Sequence, residues 1–202
     1  MKAIFVAIEG VDGAGKSTQV ELLRRRVSRR GGNPLVVREP GGTALGEAVR
    51  GILLDRGEIP ISTEAELLLF LASRVQLHEE VIAPAVAEGR FVLSDRYHLS
   101  TVVYQGIAGD LGERRAVEIC HRVLGERRPD LHLVIDTPLD DCLRRLAGRT
   151  DRFEGSPERL SRAHAGFRET SGLPGDRIER VDGRGAPEEV AARVWKRVLD
   201  AL

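Results

Sequence analysis

Eight residues near the start of the chain have the types and spacing of a phosphate-binding loop. They read Gly10-Val11-Asp12-Gly13-Ala14-Gly15-Lys16-Ser17, followed by Thr18, and fit the pattern G-x-x-x-x-G-K-[ST]. Glycines let successive backbone N–H groups point at phosphate oxygens, and the N-terminus of a following helix adds positive potential. In such a loop the lysine reaches the outer phosphates and the Ser17 hydroxyl is suited to ligate Mg²⁺. Residues 10–18 are therefore predicted to bind a nucleoside triphosphate.

Strand-like runs alternate with helical patterns along the whole chain. The strands are predicted over residues 3–9, 35–38, 91–94, 131–136 and 178–181. The helices are predicted over residues 19–30, 44–54, 64–87, 113–124, 139–146, 157–170 and 187–202. This alternation predicts an α/β fold, with a five-stranded parallel sheet covered by helices on both faces. Ligands of such sheets bind beyond the carboxyl ends of the strands, where the loop, Arg38-Glu39-Pro40 and Asp95-Arg96-Tyr97 all fall.

Composition limits the class of protein. The 202 residues suit one domain, residues 1–202, and Lys+Arg and Asp+Glu both number 31, so we expect no nucleic-acid partner. We expect no membrane partner either, because the chain has no run of eighteen apolar residues, and no cleavable signal precedes the loop. A cytoplasmic location is the expectation. Cys120 and Cys142 are isolated, and the five histidines lack metal-ligand spacing, so we expect no transition-metal site.

Two segments predict features beyond the layered fold, namely a dimer interface and a mobile lid. The helix over residues 64–87 carries the run Leu67-Leu68-Leu69-Phe70-Leu71-Ala72 and has no clean polar face. Such a helix crosses the core or meets a second copy of the chain, and we expect both, which implies a homodimer. Residues 148–157 begin with glycine, carry Arg149 and Arg152, and lie between two helices. They are interpreted as a mobile lid that closes over the phosphates.

The other polar residues narrow the chemistry to small-molecule kinases and ATPases. GTPases read guanine with an N-K-x-D motif, and Asn33 is the only asparagine; protein kinases need an H-R-D catalytic loop, which is absent. A phosphoryl acceptor site could be built from Arg50, the strand-end pair Asp95-Arg96, and an aromatic–arginine pair four residues apart on one helix. Each feature has a plainer alternative: a strand-end ion pair, a core aromatic, or solvated lid charges.

The chain resembles the bacterial thymidylate kinase family over nearly its whole length. The most specific elements are Arg-Glu-Pro-Gly-Gly and Tyr-Gln-Gly. The residues that carry the resemblance are Glu9 to Ser17, Arg38-Glu39-Pro40-Gly41-Gly42-Thr43, Phe70-Leu71-Ala72-Ser73-Arg74, Asp95-Arg96-Tyr97, Ser100-Thr101, Tyr104-Gln105-Gly106, Arg128-Pro129-Asp130-Leu131 and Asp151-Arg152. His98-Leu99 and a compact segment at 109–113 depart from the family pattern.

The resemblance implies a fold, a reaction and a role for each position. The fold would be the three-layer P-loop nucleoside monophosphate kinase fold, and the reaction would be ATP- and Mg²⁺-dependent phosphorylation of dTMP to dTDP by a homodimer. The implied catalytic residues are Asp12, Lys16, Asp95, Arg96, Arg149 and Arg152. Ser17 and Asp95 would serve the metal. The implied dTMP-binding residues are Glu39, Pro40, Arg50, Phe70, Arg74, Arg96, Thr101, Tyr104 and Gln105.

Within that set the resemblance implies finer assignments. Phe70 would stack on thymine, with Arg74 at its O4 edge and Gln105 at its N3 side, while Thr101 lies beside the base. Tyr104 would crowd the sugar C2′, and Arg50 and Arg96 would hold the acceptor phosphate. In kinases of this kind the charge on the transferred phosphoryl is met by an arginine in the loop or in the lid. Here the loop position is Gly13, so the resemblance is to the type with lid arginines.

Two alternatives stay open from the sequence. The chain could be another nucleoside monophosphate kinase, acting on dUMP or a purine, or a non-catalytic ATP-binding switch. A pure switch needs no acceptor site, so the polar residues above favour an enzyme. A coupled ADP-release assay across monophosphates discriminates among the three.

Overall fold

A parallel sheet forms the centre of the molecule. The computed structural model describes residues 3–54, 59–147 and 156–202. In these ranges the chain forms five strands in the order β2-β3-β1-β4-β5, with every neighbouring pair parallel. The strands are β1 Ile4–Glu9, β2 Pro34–Arg38, β3 Phe91–Asp95, β4 Leu131–Asp136 and β5 Ile178–Asp182. The predicted α/β class and five-stranded parallel sheet are confirmed.

Helices occupy the connections and cover both faces of the sheet. They are α1 Lys16–Arg29, α2 Ala44–Leu54, α3 Thr63–Leu77, α4 Ala83–Ala87, α5 His98–Thr101, α6 Glu113–Leu124, α7 Leu139–Leu146, α8 Pro157–Glu169 and α9 Pro187–Leu199. Two π-helical segments continue α-helices: His78–Ile82 joins α3 to α4, and Val102–Ile107 extends α5. In the described ranges, no helix has both the length and the apolar character needed to cross a membrane.

The predicted bounds lie within three residues of the observed ones, and the main differences concern α1, the helix over residues 64–87 and an unpredicted helical segment. Helix α1 begins at Lys16 rather than at residue 19, because Gly15 caps it in the left-handed conformation with φ +97°. The helix expected over residues 64–87 is present, but it is not α-helical throughout, because its hydrogen bonding widens to the π-helical pattern over His78–Ile82. The helical segment formed by α5 and Val102–Ile107 was not predicted. Its residues are almost all buried, so they show no amphipathic period.

The core explains why the strand ends gather the polar residues. Every residue of β1 is buried, and so are four of the five residues of β3. A large apolar cluster packs this sheet against α1, α8 and α9, and smaller clusters lie under α4 and between α3 and α6. Parallel strands buried on both faces leave their ends as the exposed polar rim. The loop after β1 and the residues after β2 and β3 therefore share one edge.

Candidate active site

The predicted phosphate-binding loop adopts backbone conformations that need glycine. Gly10, Gly13 and Gly15 have φ values of +136°, +78° and +97°. A β-carbon at Gly10 would lie 2.9 Å from the carbonyl oxygen of Ile135, so the loop also packs directly on β4. The Lys16 ammonium folds over the loop and donates to the Val11 carbonyl oxygen at 2.9 Å. The structure therefore has the predicted order of strand, glycine-rich loop and helix, and the loop folds compactly at the end of β1.

Gly13 lies directly beneath helix α7. A β-carbon there would come within 2.7 Å of the carbonyl oxygen of Cys142. From the next turn of the same helix, Arg145 donates to the Gly13 carbonyl oxygen at 2.9 Å. A side chain at position 13 is therefore excluded by backbone, which does not yield as a flexible side chain would.

Two clefts meet at the rim of the sheet. Cleft 1 has a volume of about 350 Å³ and cleft 2 about 740 Å³. Cleft 2 follows the loop from Asp12 to Gln19 and continues along Arg145, Leu146, Gly183, Gly185, Pro187 and Val190. The walls that both clefts share consist of Asp12, Lys16, Ser17 and Arg50. A molecule in one cleft would thus face a molecule in the other across the loop lysine.

All nine residues predicted to bind the acceptor line cleft 1. They are Glu39, Pro40, Arg50, Phe70, Arg74, Arg96, Thr101, Tyr104 and Gln105. Asp12, Lys16, Ser17 and Asp95 line it too, and residues 12–18 line cleft 2. Gly10 and Val11 line neither cleft; their carbonyl oxygens instead accept hydrogen bonds from Arg96 and Lys16. Arg149 and Arg152 lie outside the described residues.

Arg74 is fixed on the floor of cleft 1. Its guanidinium donates from Nε to Glu39 Oε2 at 2.5 Å and from NH1 to Thr101 Oγ1 at 3.0 Å. The same group lies 5.1 Å from the ring centre of Tyr97. Burial raises the pKa of Glu39 to about 7, against the opposing effect of Arg74. Arg74 is only 1% exposed, so its position is set before any ligand arrives.

Gln105 and Tyr104 lie on the unpredicted π-helical segment. Gln105 donates from Nε2 to Glu66 Oε1 at 2.7 Å. The Tyr104 hydroxyl lies 3.4 Å from Asp12 Oδ2, and its ring lies 5.3 Å from the Arg96 guanidinium carbon. Helix α5 leads from the end of β3 into this segment, which places both side chains at the cleft.

Arg96 is held in a strained backbone conformation. Among the described residues other than glycine, it alone has a positive φ, at +71°. Its guanidinium contacts Asp12 and donates from NH1 to the Gly10 carbonyl oxygen and to Ser100 Oγ, at 3.1 and 3.0 Å. Side chains beyond the cleft stabilise this geometry. Glu9 accepts from the Tyr97 N–H at 2.9 Å and from Ser100 Oγ at 2.6 Å.

A buried polar cluster lies behind Glu9. His132 Nδ1 is 3.6 Å from Glu9 Oε1, and its ring packs edge-on against His98 at 4.5 Å between centres. His98 Nε2 is 2.7 Å from Asp176 Oδ2, and Arg128 lies 3.5 Å from the other oxygen of that carboxylate. The fold therefore brings His98, His132 and Asp176 within 4.8 Å of one another. Sequence spacing gives no sign of this grouping, because the three residues come from separate elements.

The charges around the loop shift the pKa values of its ionisable groups. Burial and the neighbouring Arg96 lower the pKa of Lys16 to about 8, although Asp12 opposes the change. Burial acts to raise the pKa of Asp12, but Arg96 and Lys16 outweigh it and lower that pKa to about 2. The site thus holds Asp12 as a carboxylate and keeps a poorly solvated lysine ready for an anion.

Several residues in and around cleft 2 were not identified from the sequence. Arg145 lies in the last turn of α7 and reaches the loop, and Gln19 on α1 donates to the Pro187 carbonyl oxygen at 3.1 Å. Thr137 does not line the cleft, but it supports the loop from behind by donating to the Ala14 carbonyl oxygen at 2.9 Å. The basic end of a helix that leads into the glycine-bounded segment was the only available signal for Arg145.

Comparison with known proteins agrees with this geometry. The family model described as Thymidylate kinase matches residues 8–194. A thymidylate kinase of Chlamydia trachomatis serovar D is 42% identical, with 89% of this chain and 90% of the relative covered. One from Chlamydia muridarum is 42% identical, with 93% and 94% covered. A Synechococcus thymidylate kinase is 41% identical, with 98% and 96% covered. The chain belongs to the thymidylate kinase family.

Proposed function

We propose that this protein transfers the γ-phosphoryl group of ATP to dTMP, giving ADP and dTDP. The observation that carries the proposal is the wall shared by the two clefts. Lys16, Arg50, Asp12 and Ser17 face both, so a triphosphate in cleft 2 and a monophosphate in cleft 1 would bring their phosphates together there. Phosphoryl transfer depends mainly on such positioning and on neutralising charge.

The acceptor site is proposed to read the base with three side chains. Phe70 would stack on thymine, Arg74 would donate to O4, and Gln105 would face N3. Tyr104 would crowd the sugar C2′ and disfavour a ribose hydroxyl. The support is that these residues line one cleft, and that Arg74 and Gln105 are each anchored by a carboxylate.

The phosphates would be held by cationic groups around the shared wall. Arg50 donates from NH1 to the Pro40 carbonyl oxygen at 3.0 Å, and Arg96 is held by hydrogen bonds to Asp12 and Ser100. Both guanidinium groups are therefore already positioned before a phosphate binds. We propose that these two arginines bind the acceptor phosphate. Arg149 and Arg152, in a proposed lid over residues 148–157, would meet the charge on the transferred phosphoryl.

Ser17 and Asp95 fit a magnesium ion by the chemistry of their donors. The Ser17 hydroxyl donates to Asp95 Oδ2 at 2.6 Å, so two hard oxygen ligands lie side by side at the loop. We propose that these residues hold Mg²⁺, Ser17 directly and Asp95 by contact with the ion or its waters. The ion would neutralise charge on the ATP phosphates. Lys16 and Asp12 would orient those phosphates.

We also propose that the protein is a homodimer. Three neighbouring helices carry apolar side chains that stay exposed: Leu45 and Ile52 on α2, Leu68 on α3 and Val123 on α6. Leu68 is 50% exposed in the middle of the apolar run. Sedimentation tests this proposal: Leu68→Glu should give a monomer, and Leu199→Glu on α9 is the matched exposed control. A dimeric Leu68→Glu variant would contradict it.

The reaction is tested by ADP release across a panel of monophosphates with ATP and Mg²⁺. We expect dTMP to give the highest kcat/KM, with dUMP, dCMP, dAMP and dGMP well below it. A higher value for another monophosphate would assign a different kinase activity. ATP binding without dTMP-dependent ADP release would instead support a non-catalytic switch. The cytoplasm, where ATP and nucleoside monophosphates occur together, is the proposed location.

A further inference from the structure

Two carboxylates accept hydrogen bonds from the two polar residues that are proposed to face the base. Glu39 anchors Arg74, and Glu66 on α3 anchors Gln105. Glu39 lines cleft 1, whereas Glu66 is not among the described residues that line it. Glu66 therefore contacts a cleft residue from behind, and any effect on a ligand must act through Gln105.

The hydrogen bond with Glu66 decides which way the Gln105 amide faces. Glu66 accepts through a carboxylate oxygen, so the amide atom that meets it at 2.7 Å is the NH₂ nitrogen. The amide oxygen and nitrogen branch from one carbon, so Oε1 points away from Glu66. Gln105 is 1% exposed and lines cleft 1, so its amide has little freedom to turn.

The result is a fixed pattern of hydrogen-bonding groups along one side of cleft 1. Arg74 presents donors, because a guanidinium has no acceptor, and Gln105 presents an acceptor. Thymine and uracil carry the complementary pair, an acceptor at O4 beside a donor at N3–H. Cytosine carries the opposite pair, an amino group beside an N3 acceptor. If the amide could turn over, its NH₂ group would suit the cytosine N3.

We propose that Glu66 is a specificity-determining positioning residue that locks Gln105 with Oε1 toward the base and so selects pyrimidines carrying N3–H over cytosine. The inference rests on the proposed function, since it assumes that a pyrimidine monophosphate occupies cleft 1. It adds a residue that contacts no substrate, and it assigns discrimination against cytosine to a carboxylate behind the cleft wall.

The test is the Glu66→Gln variant, which keeps the size of the side chain but replaces an acceptor-only carboxylate with an amide. An amide at position 66 can donate or accept, so it holds Gln105 equally well in either orientation. We expect kcat/KM for dTMP to fall about tenfold, mostly through KM, and the ratio of kcat/KM for dTMP over dCMP to fall at least fivefold. KM for ATP should stay within twofold of the wild type.

Glu64→Gln is the matched control on the same helix. The Glu64 side chain is 45% exposed and pairs with Arg115 away from cleft 1, so removing its charge should leave both substrates unaffected. A second comparison uses a Gln105→Ala background, in which Glu66→Gln should change the dTMP to dCMP ratio no further. That result separates an effect through the amide from a general change in α3.

The outcomes distinguish the inference from the function on which it rests. A wild-type protein that does not phosphorylate dTMP overturns both. A wild type active on dTMP, with a Glu66→Gln variant that keeps the wild-type dTMP to dCMP ratio, overturns the role of Glu66 alone. An equal fall in that ratio in the Gln105→Ala background also overturns it, because the effect would then bypass the amide.

Discussion

The lowered pKa of Lys16 predicts that ATP affinity falls steeply in mildly alkaline solution. Burial and Arg96 bring the pKa to about 8 from the ordinary value of 10.5. Relative to a lysine in water, that difference destabilises the ammonium form of Lys16 in the free enzyme by about 3 kcal/mol. A bound triphosphate favours the ammonium and restores its pKa, so binding takes up a proton above pH 8. The dissociation constant of ATP should rise about tenfold by pH 9 and about a hundredfold by pH 10.

The assay is equilibrium binding of ATP from pH 7 to 10, in EDTA so that magnesium hydroxide does not interfere. Lys16→Arg keeps its charge throughout this range and should give a flat profile. Lys196→Arg, an exposed lysine on α9, should keep the wild-type slope. Burial raises the pKa values of Cys120 and Cys142 to about 11, so these thiols do not account for a transition at pH 8.

A loss of ATP binding through alkaline unfolding can be distinguished from this effect, because the free energy of unfolding and the affinity for ATP should change in opposite directions with pH. The unfolded state binds more protons at Lys16 between pH 8 and 10.5. Relative to Lys16→Arg, the wild-type free energy of unfolding should therefore rise with pH while ATP affinity falls. ATP affinity that is constant from pH 7 to 10 in the wild type would refute the reasoning.

Three further predictions test other parts of the site. Phe70→Ala should weaken dTMP binding roughly 10- to 100-fold, the range for stacking of a base on an aromatic ring, and leave ATP binding unchanged. Equal losses of dTMP and ATP affinity, measured by calorimetry, would indicate that Phe70 is a core residue that does not stack on the base. Arg152→Ala should lower kcat about a thousandfold with dTMP affinity near wild type, and a large loss of that affinity would contradict a lid role. Burial and His132 lower the pKa of His98 to about 4, so the free energy of unfolding should fall by about 2 kcal/mol from pH 7 to 5. In urea titrations His98→Asn should lose most of that slope, and an unchanged slope would exclude His98 as its source.

The sheet could be predicted from the sequence because its signals are local. Apolar runs that end at polar or glycine-rich turns mark buried parallel strands, and the loop pattern gives the order of strand, turn and helix. The rule that strand ends share an edge predicted that Glu39, Asp95 and Arg96 lie beside the loop, whereas Thr101, Tyr104 and Gln105 were assigned to the acceptor site only by the family resemblance. The start of α1 was less predictable, because Gly15 serves both as a loop residue and as the helix cap.

The features that could not be predicted depend on contacts between distant parts of the chain. Nearly every residue from His98 to Ile107 is buried, so neither α5 nor its π-helical extension leaves a periodic pattern in the sequence. The cluster of His98, His132 and Asp176 joins three separate elements. The contact of Glu66 with Gln105 spans 39 positions, and no spacing rule links a glutamate on one helix to an amide on another segment.

The packing of Gly13 beneath α7 limits how this enzyme can evolve. With the Cys142 carbonyl 2.7 Å from any β-carbon at position 13, an arginine cannot enter the loop by one substitution. Helix α7 would have to withdraw first, and Arg145 would lose its hold on the loop backbone. A lineage that starts from this chain therefore has no single-step route to a loop arginine. Natural variation and laboratory evolution should instead alter the charge at the transferred phosphoryl through residues that follow α7.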